Sequence, residues 1–135
     1  MKYLLDTNIC IYAINGRHQH LTRQLLSISP DDIAISSITL GELEYGAAKS
    51  NWSTRTREIF HAFLANFTVI DFTEDDALLF GRNRAILEKA GNVIGLLDLM
   101  IGSQGIRNKL TVVTHNTREF ERIPGITLED WTDAH

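Results

Sequence analysis

Two rhythms of apolar and polar positions take turns along this chain: short runs of branched residues, and longer stretches with an apolar residue every three or four positions. Lys2-Tyr3-Leu4-Leu5 is an apolar run that stops at Asp6-Thr7-Asn8. It reads as a buried strand followed by residues able to cap a helix. Ile9 to Ile14 keeps helical spacing and ends at Asn15-Gly16, a C-terminal cap signal. His18 to Ser29 predicts an amphipathic helix with Leu21, Leu25, Leu26 and Ile28 on one side. Asp32 to Ser36 reads as a strand, after which Ser36-Ser37 cap a helix running through Leu40, Leu43, Ala47 and Ala48. Ser53 opens another helix, Thr54 to Asn66, with Ile59, Phe60, Phe63 and Leu64 as its core stripe. Phe67 to Phe72 is rich in branched and aromatic side chains and predicts a third strand. Thr73 to Asp76 caps a long helix closed by Ala90-Gly91, and Leu99 to Gly105 is helix-like. Leu110 to Val113 is a fourth strand, Thr117 to Arg122 a helical turn, and Ile126 to Leu128 a last edge strand.

Strands alternating with helices predict an α/β fold, a parallel sheet with helices on both faces. Ligands of such sheets collect beyond the carboxyl ends of the strands. Asp6 stands at that end of the first strand, and Thr114-His115-Asn116 at that end of the fourth. Helices beginning near the same edge can bring Glu42 and Asp98 over it. Each acid also has a plain reading: Asp6 and Asp98 as helix caps, Glu42 as a surface residue beside Lys49. Convergence would change the picture, because two carboxylates about 4 Å apart at an effective dielectric near 20 repel by roughly 4 kcal/mol. Three ionised together require a cation. With oxygen ligands only, that cation is hard, Mg²⁺ or Mn²⁺.

Length and composition narrow the class. The chain of 135 residues fits one domain, 1–135, and at that size about 68% of the unfolded surface is buried. Cys10 is the single cysteine, with no partner for a disulfide or a thiolate cluster, and a reducing compartment follows. No stretch has the make-up of a signal peptide or the length to span a bilayer, so the cytoplasm is expected, with no membrane partner. His18 and His20 fall on different sides of a helix and read as solvated. Net charge is −4, from 13 Lys+Arg against 17 Asp+Glu. A general positive field for nucleic acid is thereby excluded.

Taken together, Leu4-Leu5-Asp6-Thr7-Asn8, Ser36 to Leu43 with Tyr45-Gly46, Gly95 to Ile101 around Asp98, and Thr114-His115-Asn116-Thr117-Arg118-Glu119-Phe120 resemble the PIN-domain toxins of the VapC family. The likeness runs on through Arg122 to Ile126 and Glu129-Asp130-Trp131. It implies a PIN-domain-like parallel β-sheet flanked by helices on both faces, a divalent-metal site and a metal-dependent endoribonuclease activity. Asp6, Glu42 and Asp98 match the family's acidic catalytic positions, with Asp6 and Asp98 as metal ligands. Asn116 stands where relatives often carry an aspartate, and Glu119 is an acid nearby that completes the site or stabilises its short helix. Leu96-Leu97 stand where many relatives carry a proline or a polar residue. The resemblance further implies a VapB-type antitoxin that holds the toxin inactive, a homodimer, and cleavage of a transfer RNA in its anticodon stem-loop.

The apolar side of the first helix, Ile9, Ile11 and Tyr12, with the region from Leu43 to Trp52, could form a groove for an apolar helix of that antitoxin. Thr114, Arg118, Lys109, Arg82 and Arg84, with Arg107, are candidates for holding RNA phosphates, against solvated surface as the plain alternative. Two other readings stand beside these. A non-catalytic RNA- or protein-binding domain would use its acids only as caps. An aspartate-dependent phosphatase would place its nucleophile at Asp6, but the second acid such enzymes carry two positions later is Asn8 here.

Overall fold

Tyr3–Leu5 (β1) lies at the centre of a five-stranded sheet in the computed structural model, which describes residues 1–132. Ile33–Ser36 (β2), Thr68–Ile70 (β3), Thr111–Val113 (β4) and Leu128–Glu129 (β5) complete it in the order β3-β2-β1-β4-β5. Every pairing is parallel, Leu4 lying opposite Ala34 on one side and Val112 on the other. The order reverses at β1, since β2 lies on one flank and β4 on the other. Such a switch point opens a crevice at the carboxyl ends of the central strands.

Among the described residues, seven α-helices connect and cover the sheet: Thr7–Asn15 (α1), Gln19–Ser27 (α2), Ser37–Ser50 (α3), Thr54–Leu64 (α4), Glu74–Lys89 (α5), Leu96–Arg107 (α6) and Thr117–Phe120 (α7). Alternate residues of the strands point to opposite faces, so β1 feeds two cores. Leu5, Ile33 and Ile35 pack with Ile9 and Cys10 of α1, Leu21 of α2, Leu43 of α3, and Phe60 and Leu64 of α4. Leu4, Ala34 and Val112 pack on the other side with Leu87 of α5, Leu99 and Ile101 of α6, and Phe120 of α7. Burial of Cys10 pushes its thiol pKa up, which keeps it inert.

Local chemistry explains the boundaries. Asp6 accepts from the Thr7 amide at the start of α1, and Gly16, at a φ of 67°, closes that helix. Ser36 and Ser53 cap α3 and α4, and Thr73 forms a reciprocal capping box with Asp76 on α5. Gly105 lets α6 lie close on the sheet, because a Cβ there would stand 2.5 Å from Val112 Cγ2.

Two helical faces are narrower than their spacing predicts. Leu26 of α2 and Ile59 of α4, both read as core, are exposed, at 82% and 45%. Each sits at the margin of an apolar stripe whose centre alone reaches the sheet. The helix around Asp98 begins earlier than expected, at Leu96, with Gly95 as its cap residue. The single-domain expectation for 1–135 holds no structural content for its last three positions, which lie outside the described residues.

Candidate active site

Asp6 follows β1 directly and is 2% exposed at the base of the crevice. Both of its oxygens are held: the Thr7 amide donates to Oδ1 at 2.7 Å, and the Thr114 hydroxyl donates to Oδ2 at 2.9 Å. Thr114 ends β4 and in turn accepts from the Asn116 amide at 3.0 Å. The capping role and the site role of Asp6 are therefore one geometry.

Glu42 comes from the second turn of α3. Thr7 Oγ1 donates to Glu42 Oε1 at 2.6 Å and, having spent its proton there, accepts from Thr39 Oγ1 at 3.0 Å. Sequence reasoning missed these two threonines. Their signal was positional, Thr7 directly after Asp6 and Thr39 three residues before Glu42 on the same helical face.

Asp98 lies in the first turn of α6 and Glu119 in α7. Glu119 Oε1 accepts from the Gly95 amide at 2.8 Å, closing the start of α6, while the Asn116 side-chain amide donates to Oε2. A Cβ at Gly95 would lie 3.6 Å from both Asp98 Oδ2 and Glu119 Oε1. Two carboxyl groups thus meet over one glycine. Of the two candidates for completing the acid set, Glu119 faces the other acids and Asn116 holds it there.

The acids feel one another. Asp98 is pushed up to about 7, first by burial, then by the fields of Asp6, Glu119 and Glu42, and by a hydrogen bond with Glu119. Asp6 is pushed up to about 6, chiefly by burial; the bonds from Thr114 and Thr7 oppose this, and Glu42 and Glu119 add to it. Among the described residues no salt bridge reaches any of the four. An all-carboxylate set without a basic partner suits a hard divalent cation. Among the described residues no three side chains of His, Cys, Asp and Glu are drawn into a closed cage.

The proposed phosphate holders separate sharply. Thr114 is wholly buried behind Asp6 and cannot touch RNA, so it positions the carboxylate instead. Lys109 precedes β4 and lies at the amino end of the sheet, as does Arg107, which pairs with Asp75 at 2.8 Å. Neither can serve a site at the carboxyl end; nearness in sequence to β4 concealed which end each occupies. Arg118 is exposed beside Glu119 on α7. Arg82 and Arg84 are exposed on α5, where Arg84 pairs with Glu88 at 3.1 Å and shares a small crevice with Leu96 at the start of α6.

An apolar groove of about 400 Å³ lies away from the acids, between α3, α4 and the edge strand β3, lined by Leu40, Ala47, Trp52, Phe60, Leu64 and Val69. It corrects the expected docking groove. Leu43, Ala47 and Trp52 of the expected region line it, but Ile9 belongs to the closed core and α1 contributes no wall.

The chain was compared with known proteins. The PIN domain family model matches residues 3–126. Ribonuclease VapC2 of Rickettsia felis is 42% identical over 132 residues, spanning 97% of this chain and 98% of that protein. The tRNA(fMet)-specific endonuclease VapC of Salmonella typhimurium is 41% identical over 131 residues, with the same two shares. Among solved structures, DNA-bound VapBC from Salmonella typhimurium matches at a TM-score of 0.90 and 41% identity, over 97% of this chain and 98% of that one. VapBC-1 from nontypeable Haemophilus influenzae matches at 0.87 and 30% identity, over 98% and 100%. The parallel sheet, its flanking helices and these likenesses along nearly the whole length place the chain in the PIN-domain family, among the VapC ribonucleases.

Proposed function

We propose that this chain is a metal-dependent endoribonuclease, the toxin of a toxin–antitoxin pair, acting as a single PIN domain on a transfer RNA. The observation that carries the reading is the meeting of Asp6, Glu42, Asp98 and Glu119, from four separate segments, at the switch point of the sheet with no basic partner among the described residues. Asp6 and Asp98 would hold the cation, with Glu42 and Glu119 flanking it, and Mg²⁺ is the proposed ion with Mn²⁺ as a substitute. Such a cation, when bound, supplies charge neutralisation for the phosphodiester and a nucleophilic water at neutral pH.

The remaining work falls to the chain itself. Thr114 and the Thr7 amide hold Asp6 in one orientation, and the Thr7–Thr39 relay does the same for Glu42. Asn116 and the Gly95 amide fix Glu119. Asp98, raised by burial and by the neighbouring acids, would give up its proton as the cation binds. Arg118 stands at the rim to steady a flanking phosphate, which suits a protein that lacks a general positive field.

Relatives named as tRNA(fMet)-specific endonucleases support a transfer RNA as substrate, cut in the anticodon stem-loop, where an unstacked backbone can bend into a concave acidic site. Related VapBC complexes support a VapB-type antitoxin as the partner, seated in the apolar groove between α3 and α4. A homodimer and a cytoplasmic setting complete the proposal. Sequencing RNA ends after brief induction tests the substrate: cuts confined to one or a few transfer RNAs are expected. Scattered cuts through messenger and ribosomal RNA with transfer RNA intact would rule it out.

A further inference from the structure

A second concavity, of about 450 Å³, opens directly from the acid cluster, and Glu42 is part of its wall together with Ser37, Ile38, Gly41, Tyr45 and Leu97. Its chemistry changes within one helical turn. Glu42 belongs to the charged site, while Tyr45, three residues on along the same face of α3, is 66% exposed. Across the opening stands Leu97, 46% exposed and adjacent in sequence to Asp98. The floor is open at Gly41, where an added Cβ would meet nothing within 4 Å. On the far side, Lys49 Nζ lies 5.6 Å from the centre of the Tyr45 ring. An exposed aromatic ring and an aliphatic side chain facing it therefore share one recess with Glu42, and a cation lies beside the ring.

We infer that this recess is a nucleobase subsite: a base next to the scissile phosphate unstacks and lies between Tyr45 and Leu97. The inference rests on the ribonuclease reading above. Continuity with the acids favours a base over other apolar occupants, since whatever places its phosphate at Asp6 and Asp98 brings the neighbouring base within reach of Tyr45. A base is flat and uncharged, so a carboxylate-lined entrance does not repel it, and stacking on an aromatic side chain contributes about 1–3 kcal/mol per base. Lys49 reinforces this by adding positive charge beside the ring, where the neighbouring phosphate must pass. Tyr45 is thus a substrate-contacting residue that helps select which phosphate is cut.

The test is a coupling measurement on the full chain. A hairpin RNA that the wild-type protein cuts has its cut mapped, and the bases on either side are replaced in turn by an abasic sugar. Wild-type protein should lose about tenfold in KM for one of the two abasic hairpins, with kcat little changed. Tyr45→Ala should show the same loss on the intact hairpin and no further loss on the abasic one, while Tyr45→Phe behaves as wild type. Gly41→Leu, which fills the floor without touching the acids, should copy Tyr45→Ala. Equal abasic penalties in wild type and Tyr45→Ala, with cleavage intact, would overturn the subsite and leave the ribonuclease reading standing. Conversion of a dimer to a monomer by Tyr45→Ala would also overturn it, by giving this face to a second copy of the chain. No cleavage by wild-type protein with Mg²⁺ or Mn²⁺ would overturn the subsite and the ribonuclease reading together.

Discussion

The two ends of one parallel sheet treat their acids in opposite ways. At the amino end Asp32 sits near Lys2 at 3.9 Å, Asp75 pairs with Arg107 at 2.8 Å, and the buried Asp76 caps α5 and receives the Asn108 side chain. Asp32 and Asp75 there each meet a cationic side chain, and Asp76 serves as half of a helix cap. At the carboxyl end Asp6, Glu42 and Glu119 are held by threonine, asparagine and backbone donors, which fix their orientation without cancelling the repulsion among them and Asp98. Orientation without neutralisation is the arrangement that the proposed cation would complete.

Exchanging single acids at the two ends breaks the comparison most sharply. Asp6→Asn or Asp98→Asn should bring RNA cleavage to background, a larger loss than the roughly 10–100-fold cost of removing an outer partner. The metal-free fold should persist or gain stability, because one of several crowded carboxylates is removed. Asp76→Ala should do the reverse, costing about 1 kcal/mol through the lost cap while cleavage continues. Cleavage assays paired with urea unfolding separate the two classes.

Next in size is Thr114→Val, which leaves Asp6 Oδ2 and the Asn116 amide without their partner. Cleavage should fall by roughly 10–100-fold and stability by about 1–3 kcal/mol. Activity near wild type would mean that Asp6 needs no orienting hydroxyl.

The raised carboxyl groups give a pH signature peculiar to the carboxyl end. Asp6 at about 6 and Asp98 at about 7 both lie above their ordinary 3.8. Between 3.8 and about 7 the native protein therefore binds protons that the unfolded chain has released. Metal-free protein should gain stability as pH falls through 7 and 6, a gain complete below the unfolded value. Loss of the two raised groups in an Asp6→Asn, Asp98→Asn double variant should flatten that slope, measured by melting temperature against pH. The smallest effect belongs to Lys109→Ala, at the amino end, which should leave cleavage unchanged where Arg118→Ala weakens substrate affinity.

Much of this was legible in the sequence. The strand-helix alternation, the caps at Ser36, Ser53 and Thr73, and Asp6, Glu42 and Asp98 all rest on local chemistry or on resemblance, and the fold assembled them as expected. What escaped depends on three dimensions. Thr114 is polar and sits at a site edge, yet only the packing of β4 against β1 shows that it is buried behind Asp6. Lys109 and Thr114 flank the same strand, and only the strand's direction assigns them to opposite ends. Thr7 and Thr39 look like ordinary cap and helix residues until α1 and α3 bring them together over Glu42. Leu26 and Ile59 carry the right spacing, but no spacing tells how wide a stripe the neighbouring elements will cover.

The central claim, that the carboxyl end awaits a divalent cation, is tested most directly by melting temperature under a Mn²⁺ titration, run above pH 7 on wild-type and Asp98→Asn protein. Wild type should rise steadily with Mn²⁺, as linkage requires for an ion bound only by the native state, and Asp98→Asn should stay level. An equal rise in both proteins, or no rise in wild type, would contradict the assignment of these acids to a metal site.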